Sequence, residues 1–262
     1  MPEQRSADRD SGNAVAPEVS RSMEIAVDSV SLHGDLTVPD SALGVVLFAH
    51  GSGSSRLSPR NRAVAAALNR DGLATLLFDL LTATEADDRQ LVFDICLLAA
   101  RLESAVEWMR RQAAAARLPV GLFGASTGAA AALVAAADLG DKIRAVVSRG
   151  GRPDLAGPRL GDVRAPTLLI VGGNDRAVLS LNLEAQRQLQ CATSLEVVPG
   201  ATHLFEEPGA LESVAQLASR WFVAAFARPD AAVGSSRRDL REPEADDPLA
   251  RRRLRRRGRP SR

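Results

Sequence analysis

The chain is poor in several things that would each announce a class of function. It holds two cysteines, Cys96 and Cys191, in 262 residues. Neither has other ligands at metal spacing, which excludes a disulfide scaffold and a structural zinc site and points to a reducing, cytoplasmic setting. Tyrosine is absent and lysine occurs once, at Lys142, so arginine carries the positive charge. Apolar runs are short. Val45-Val46-Leu47-Phe48-Ala49 falls far below the roughly 20 residues a bilayer span needs, so no membrane partner is expected. Met1 to Arg21 lacks the apolar core of a secretory signal. No G-x-x-x-x-G-K-[ST] phosphate loop exists, and Arg56 stands where G-x-G-x-x-G would need its last glycine. Histidine occurs three times, at His33, His50 and His203, so imidazole chemistry has few places to be.

What is present divides the chain in three. Residues 1–22 are polar, with scattered charge, and read as a disordered segment. Residues 23–228 carry nearly all the periodic apolar pattern and are expected to form one domain. Residues 229–262 form an Arg-rich tail, expected to be disordered. The net charge of +1 hides +5 on that tail and −4 on the rest. A mildly acidic body is unlike a nucleic-acid-binding domain. The run Arg251 to Arg257 repels itself and reads as solvated. The expected partner is therefore a small molecule. Oligomeric state is not encoded.

The body alternates strand and helix signals. Ile25 to Val30 and Leu32 to Val38, alternating weakly around His33-Gly34, read as two antiparallel edge strands. Fully apolar runs typical of buried parallel strands follow at Val45–Ala49, Ala74–Phe78, Val120–Phe123, Ala145–Val147 and Thr167–Val171, with a weaker one at Leu195–Val198. Helical periodicity fills the gaps at Arg62–Asn69, Ile95–Arg111, Ala129–Ala137, Asn182–Leu189 and Leu211–Phe226. The expected fold is α/β, a mostly parallel, doubly wound sheet flanked by helices. Such sheets bind ligands beyond the carboxyl ends of their strands.

The chemistry-bearing residues follow those ends. Gly124-Ala125-Ser126-Thr127-Gly128 lies between a buried strand and a helix, the setting of a nucleophile elbow that projects Ser126 into a cleft. A serine hydroxyl needs a base. His33 sits in the early hairpin and His50 is expected to support its loop, which leaves His203 as general base and then general acid. Asp175, in Gly172-Gly173-Asn174-Asp175, is the expected orienter of the imidazole, with Asp79 as a rival on the same rim. The backbone N–H groups of Ser52 and Thr127 are expected to form the oxyanion hole.

Taken together, His50-Gly51, the Ser126 elbow, the Asp175 loop and the His203 loop resemble the α/β-hydrolase superfamily, and most closely its dienelactone hydrolase-like branch. The resemblance covers roughly Met23 to Arg228. It implies an eight-stranded sheet and no cofactor or metal. Dienelactone hydrolases proper use a cysteine nucleophile where this elbow carries Ser126, which favours generic ester, lactone or thioester hydrolysis. Some relatives are joined to a phosphoribosyltransferase domain, for which the residues outside the body are expected to be too few.

Between Ala145–Val147 and the next strand, Ser148 to Ala165 are too few for a large cap, so an open site is expected. Arg149 or Arg152 is a candidate for holding a substrate carboxylate. Leu204, with Leu80, Leu81 and Leu179, is a candidate for lining an acyl pocket. Cys96 is expected to be buried packing. Three other functions compete with an esterase: a catalytically silent, hydrolase-like binding protein; a cofactor-free perhydrolase using the same triad; and a nucleic-acid-associated protein acting through the tail.

Overall fold

The central strands are short and apolar because helices cover them on both faces. The computed structural model describes residues 19–27 and 29–227. Residues 1–18 of the expected N-terminal segment, the whole expected tail 229–262, and residues 28 and 228 lie outside the described residues.

Eight strands form one sheet in the order β1-β2-β4-β3-β5-β6-β7-β8. They are β1 (Val19–Val27), β2 (Val30–Val38), β3 (Val45–Ala49), β4 (Ala74–Phe78), β5 (Val120–Ala125), β6 (Ile143–Arg149), β7 (Thr167–Gly172) and β8 (Thr193–Val198). β1 pairs antiparallel with β2, and β2 with β4; every other pairing is parallel. β3, β4, β5 and β7 are buried along their whole length, as strands covered by helices on both faces must be. The helices are α1 (Pro59–Arg70), α2 (Ala83–Ala86), α3 (Arg89–Val92), α4 (Ile95–Arg110), α5 (Thr127–Leu139), α6 (Arg176–Gln188) and α7 (Ala210–Phe226). α1 and α7 pack on one face, against Val46, Phe48, Phe123 and Val147. α4 and α5 cover the other, against Leu47, Leu76, Leu122 and Val146. Between β6 and β7 runs an irregular stretch of tight helical turns, Pro153–Asp162, with no room for a cap domain.

Four expectations are corrected. The body begins before Met23: residues 19–22 belong to β1, and Ser22 Oγ donates to Asp35 at 2.7 Å. The first two strands meet earlier than expected: β1 ends at Val27 and β2 begins at Val30, with His33-Gly34 inside β2. Gly34 serves packing instead, since a Cβ there would stand 2.9 Å from Ile25 Cδ1. Only β1 of the pair is an edge strand, because β2 also pairs with β4. Cys96 is exposed rather than buried, since the covered stripe of α4 runs through Leu98, Ala99, Leu102, Ala105 and Met109.

Candidate active site

β5 delivers its chain into α5 through one residue. Ser126 sits between them at φ 52°, ψ −121°, a region that costs a non-glycine residue about 1–3 kcal/mol and persists only where surroundings enforce it. Here they do. Ser126 N–H donates to the Arg149 carbonyl at 3.2 Å, and its own carbonyl accepts from Arg152 N–H at 3.1 Å. The two glycines of the elbow permit the crossing. A Cβ on Gly128 would lie 2.2 Å from the Ala49 carbonyl oxygen, and one on Gly124 would lie 2.4 Å from Ala129 Cα. No larger residue fits either position without moving backbone. The serine is left partly exposed at the carboxyl end of the sheet, beside the positive end of α5.

His203 and Asp175 meet, although 28 residues separate them. His203 Nδ1–H donates to Asp175 Oδ2 at 2.7 Å. The carboxylate is sheltered, its side chain 14% exposed against 39% for the imidazole. Asp175 also acts as the N-cap of α6, its Oδ1 accepting from Val178 N–H at 3.4 Å. The turn role and the orienting role thus use different oxygens of one side chain. With Nδ1 committed, Nε2 is the free lone pair, the tautomer a general base needs.

The serine and the imidazole share a neighbour. The Arg149–Gly150 peptide bonds Ser126 through its carbonyl. A Cβ on Gly150, which has φ 52°, would stand 3.2 Å from the His203 carbonyl and 3.6 Å from His203 Cε1. The strained Phe205, φ 56° and buried, closes the same loop from beneath.

The rival acid is occupied. Asp79 accepts from Arg56 N–H at 2.8 Å and from Arg56 Nη1 at 2.7 Å. His50 is a strut. Its Nδ1 donates to the Gly51 carbonyl at 3.0 Å and its Nε2 accepts from Leu80 N–H at 3.1 Å, which ties the β3 loop to the β4 loop. Burial, opposed by the Gly51 hydrogen bond and by Asp79, lowers its pKa and keeps the ring neutral.

The expected oxyanion donors are placed differently from each other. Thr127 opens α5, so its N–H has no acceptor within the helix. The Ser52 N–H is engaged: it donates to Thr127 Oγ1 at 2.8 Å. A carbonyl oxygen reaches that amide only by drawing it off the hydroxyl or by sharing it. The loop does lie against the nucleophile, since a Cβ on Gly51 would stand 3.0 Å from Ser126 Cβ. Nothing in the sequence signals that Thr127 has a side-chain role.

The two arginine candidates separate. Arg152 is spent on Asp154, Nε at 2.8 Å and Nη2 at 2.7 Å. Arg149 is buried, and its Nε and Nη1 have no hydrogen-bond partner. Burial first, then the neighbouring Arg60, push its pKa down to about 10, so it stays charged at neutral pH. An uncompensated buried charge costs a fold about 3–5 kcal/mol. Leu204, beside the imidazole, is 40% exposed, whereas Leu80 and Leu81 belong to the core. Among the described residues no cluster of three or more His, Cys, Asp or Glu side chains could hold a metal ion, and no helix is long and apolar enough to cross a membrane.

Comparison with known proteins matches residues 42–221 to the family model described as alpha/beta hydrolase domain. A crystal structure of dienelactone hydrolase from Anabaena variabilis is 55% identical, with a TM-score of 0.78 over 79% of this chain and 98% of that one. Est1E from Butyrivibrio proteoclasticus shares the fold at 18% identity, with a TM-score of 0.67 over 79% of this chain and 99% of its own. A Mycobacterium tuberculosis protein named "Putative phosphoribosyl transferase" is 61% identical over 201 residues, 77% of this chain and 45% of that protein. The chain thus spans about half the length of the curated relatives it matches.

Proposed function

Because this chain belongs to the alpha/beta hydrolase family, in its dienelactone hydrolase-like branch, we propose that it is a serine hydrolase cleaving a small ester, lactone or thioester through an acyl-enzyme on Ser126. The observation that carries this reading is the His203–Asp175 hydrogen bond at 2.7 Å, made on the rim where the strained Ser126 elbow bonds the Arg149 carbonyl next to Gly150, which packs against His203. A scaffold that only bound ligands would need neither.

In the proposed cycle Ser126 Oγ attacks the carbonyl carbon as its proton passes to His203 Nε2. Asp175 holds the ring and stabilises the imidazolium. The carbonyl oxygen takes up the electron pair and is met by the Thr127 N–H. Thr127 Oγ1, which already accepts from Ser52 N–H, has its own proton free to donate as well, and the Ser52 amide polarises that hydroxyl. The tetrahedral intermediate collapses, and the leaving oxygen or sulfur takes the proton from His203. Water, losing a proton to the same nitrogen, attacks the acyl carbon; as the bond to Ser126 Oγ breaks, His203 returns that proton to the serine oxygen and the acid leaves.

The name of the mycobacterial relative belongs to a protein of which the matched stretch is under half. The hydrolase reading rests on the family match and on this chain's own residues. It is tested by assaying the purified full chain against p-nitrophenyl esters of graded acyl length and a set of lactones. Turnover that disappears in Ser126→Ala is expected. Turnover that survives unchanged in that variant overturns the proposal.

A further inference from the structure

Asn182 is an amide that the fold buries completely. It lies on the stripe of α6 that also carries Val178 and Ala185, two turns after the Asp175 cap, and it is 0% exposed. Both hydrogens of its Nδ2 are spent. One goes to the Val178 carbonyl at 2.8 Å, within the helix, and the other leaves the helix for the Gly151 carbonyl at 3.0 Å. Because both neighbours are carbonyl oxygens, only the NH2 end of the side chain can face them. Its Oδ1 is left buried with no partner among the described residues, a cost that an apolar side chain of the same size would avoid. Volume alone therefore does not explain the residue. The carbonyl of Gly151 does.

Gly151 belongs to the segment that grips the nucleophile elbow, residues 149–152. The Arg149 carbonyl accepts from Ser126 N–H, and Arg152 N–H donates to the Ser126 carbonyl. Between these two bonds, Gly150 N–H is tied to the Ile170 carbonyl of β7 at 2.8 Å, and Gly150 packs against His203. Gly151 has little slack of its own. A Cβ there would stand 2.0 Å from Ser148 Oγ and 2.6 Å from Ala129 Cβ, in the first turn of α5. On the other side of the bond, α6 is capped by Asp175, whose second oxygen holds His203. One buried amide thus joins the helix that the acid caps to the segment that holds the serine.

We propose that Asn182 is a positioning residue: it fixes residues 149–152 against α6 and so sets where the Ser126 hydroxyl lies relative to His203. This rests on Ser126 being the nucleophile. Without the amide, the Gly151 carbonyl loses a buried donor, and the two backbone bonds that the same segment makes to Ser126 loosen with it. The strained backbone of Ser126 persists only while its surroundings enforce it. An elbow that relaxes carries the hydroxyl away from the imidazole.

The test reads position and rate separately, on the full chain. Asn182→Leu keeps the volume and removes the donor. Amide hydrogen exchange followed by NMR should speed up at Ser126 and Arg152 by at least about tenfold, with β3 and β4 unchanged. kcat for p-nitrophenyl butyrate, per active site counted with a fluorophosphonate, should fall by about 10–100-fold with KM little moved. Ala185→Gly is the control. It weakens α6 through helix propensity, so it should lower the melting temperature while leaving both amides and kcat as they are. If Asn182→Leu does not fold, Asn182→Ala carries the same measurements. Unchanged exchange at both amides in the folded variant overturns the proposal. So does equal loosening in Ala185→Gly, or a kcat that holds in a variant whose amides have loosened. Loosened amides in a protein whose parent neither turns over esters nor takes the fluorophosphonate leave Asn182 as the tie of the elbow and sink the hydrolase reading instead.

Discussion

The two ends of the sheet are made by the same strands and settle their buried polar groups to different degrees. At the amino end, cations find acids. Arg159 pairs with Asp138 and Asp162, Lys142 with Glu107 at 2.6 Å, and Arg164 with Asp141 at 3.8 Å. At the carboxyl end Arg56 with Asp79 and Arg152 with Asp154 pair as well, but Arg149, Arg60, Ser148 and Glu207 each keep at least one buried polar atom without a partner. Strain follows the same division. Ser126 and Phe205 hold positive φ on the carboxyl rim, while Ser41, the third such non-glycine residue described, lies in an exposed turn before β3. Folding alone would remove both strain and unmet polarity. Their concentration at one end is what a surface shaped for a ligand retains.

The contrast can be broken by substitution. The largest effect is expected at the nucleophile. Ser126→Ala should lower kcat by about 10⁴–10⁶ while the melting temperature, read by calorimetry, stays close to that of the parent. Next come the two acids of the rim. Asp175→Asn should cost about 10⁴ in kcat through the wrong imidazole tautomer. Asp79→Asn, whose carboxylate is spent on Arg56, should cost less than about tenfold. Equal losses in parallel kinetics would mean that the acid has been misassigned. Thr127→Val, which keeps the backbone N–H but removes the hydroxyl, should cost about 10²–10³ in kcat with KM little moved. Thr127→Ser should recover most of that loss. A Thr127→Val enzyme at full rate would return the oxyanion hole to backbone donors alone.

The smallest effect concerns His50 and stability. Its folded pKa is lowered by burial, so an unfolded chain takes up a proton near pH 6.5 that the native ring refuses. Stability from this group is therefore whole above about pH 6.5 and declines as pH falls below it, by at most about 1.4 kcal/mol per pH unit. His50→Gln should flatten that part of the decline in denaturant titrations at pH 7, 6 and 5. An unchanged slope would show that the ring is not held neutral.

How much of this was legible in the sequence follows from what each feature depends on. β3, β4, β5, β6 and β7 announce themselves because burial on both faces forces continuous apolar runs. β1 begins earlier than expected because Ser20 to Ser22 form an exposed edge with little apolar content. α2 and α3 span four residues each, held by the local caps Thr82 and Asp88, and so display no period. Ser126, Asp175 and His203 could be picked out because each follows a strand, and the coordinates bring Asp175 and His203 into contact. The Ser52 amide on Thr127 Oγ1 and the missing partner of Arg149 could not be seen. Both depend on neighbours from distant segments, which no local pattern encodes.

The central claim is that Ser126 is made nucleophilic by His203. Labelling of the purified protein by a fluorophosphonate at neutral pH, with the modified peptide mapped by mass spectrometry, tests it most directly. The account predicts a single adduct on Ser126, absent from Ser126→Ala and formed at least about 100-fold more slowly in His203→Ala. Folded protein that takes no label, or a label that sits on another serine and persists in Ser126→Ala, would contradict it.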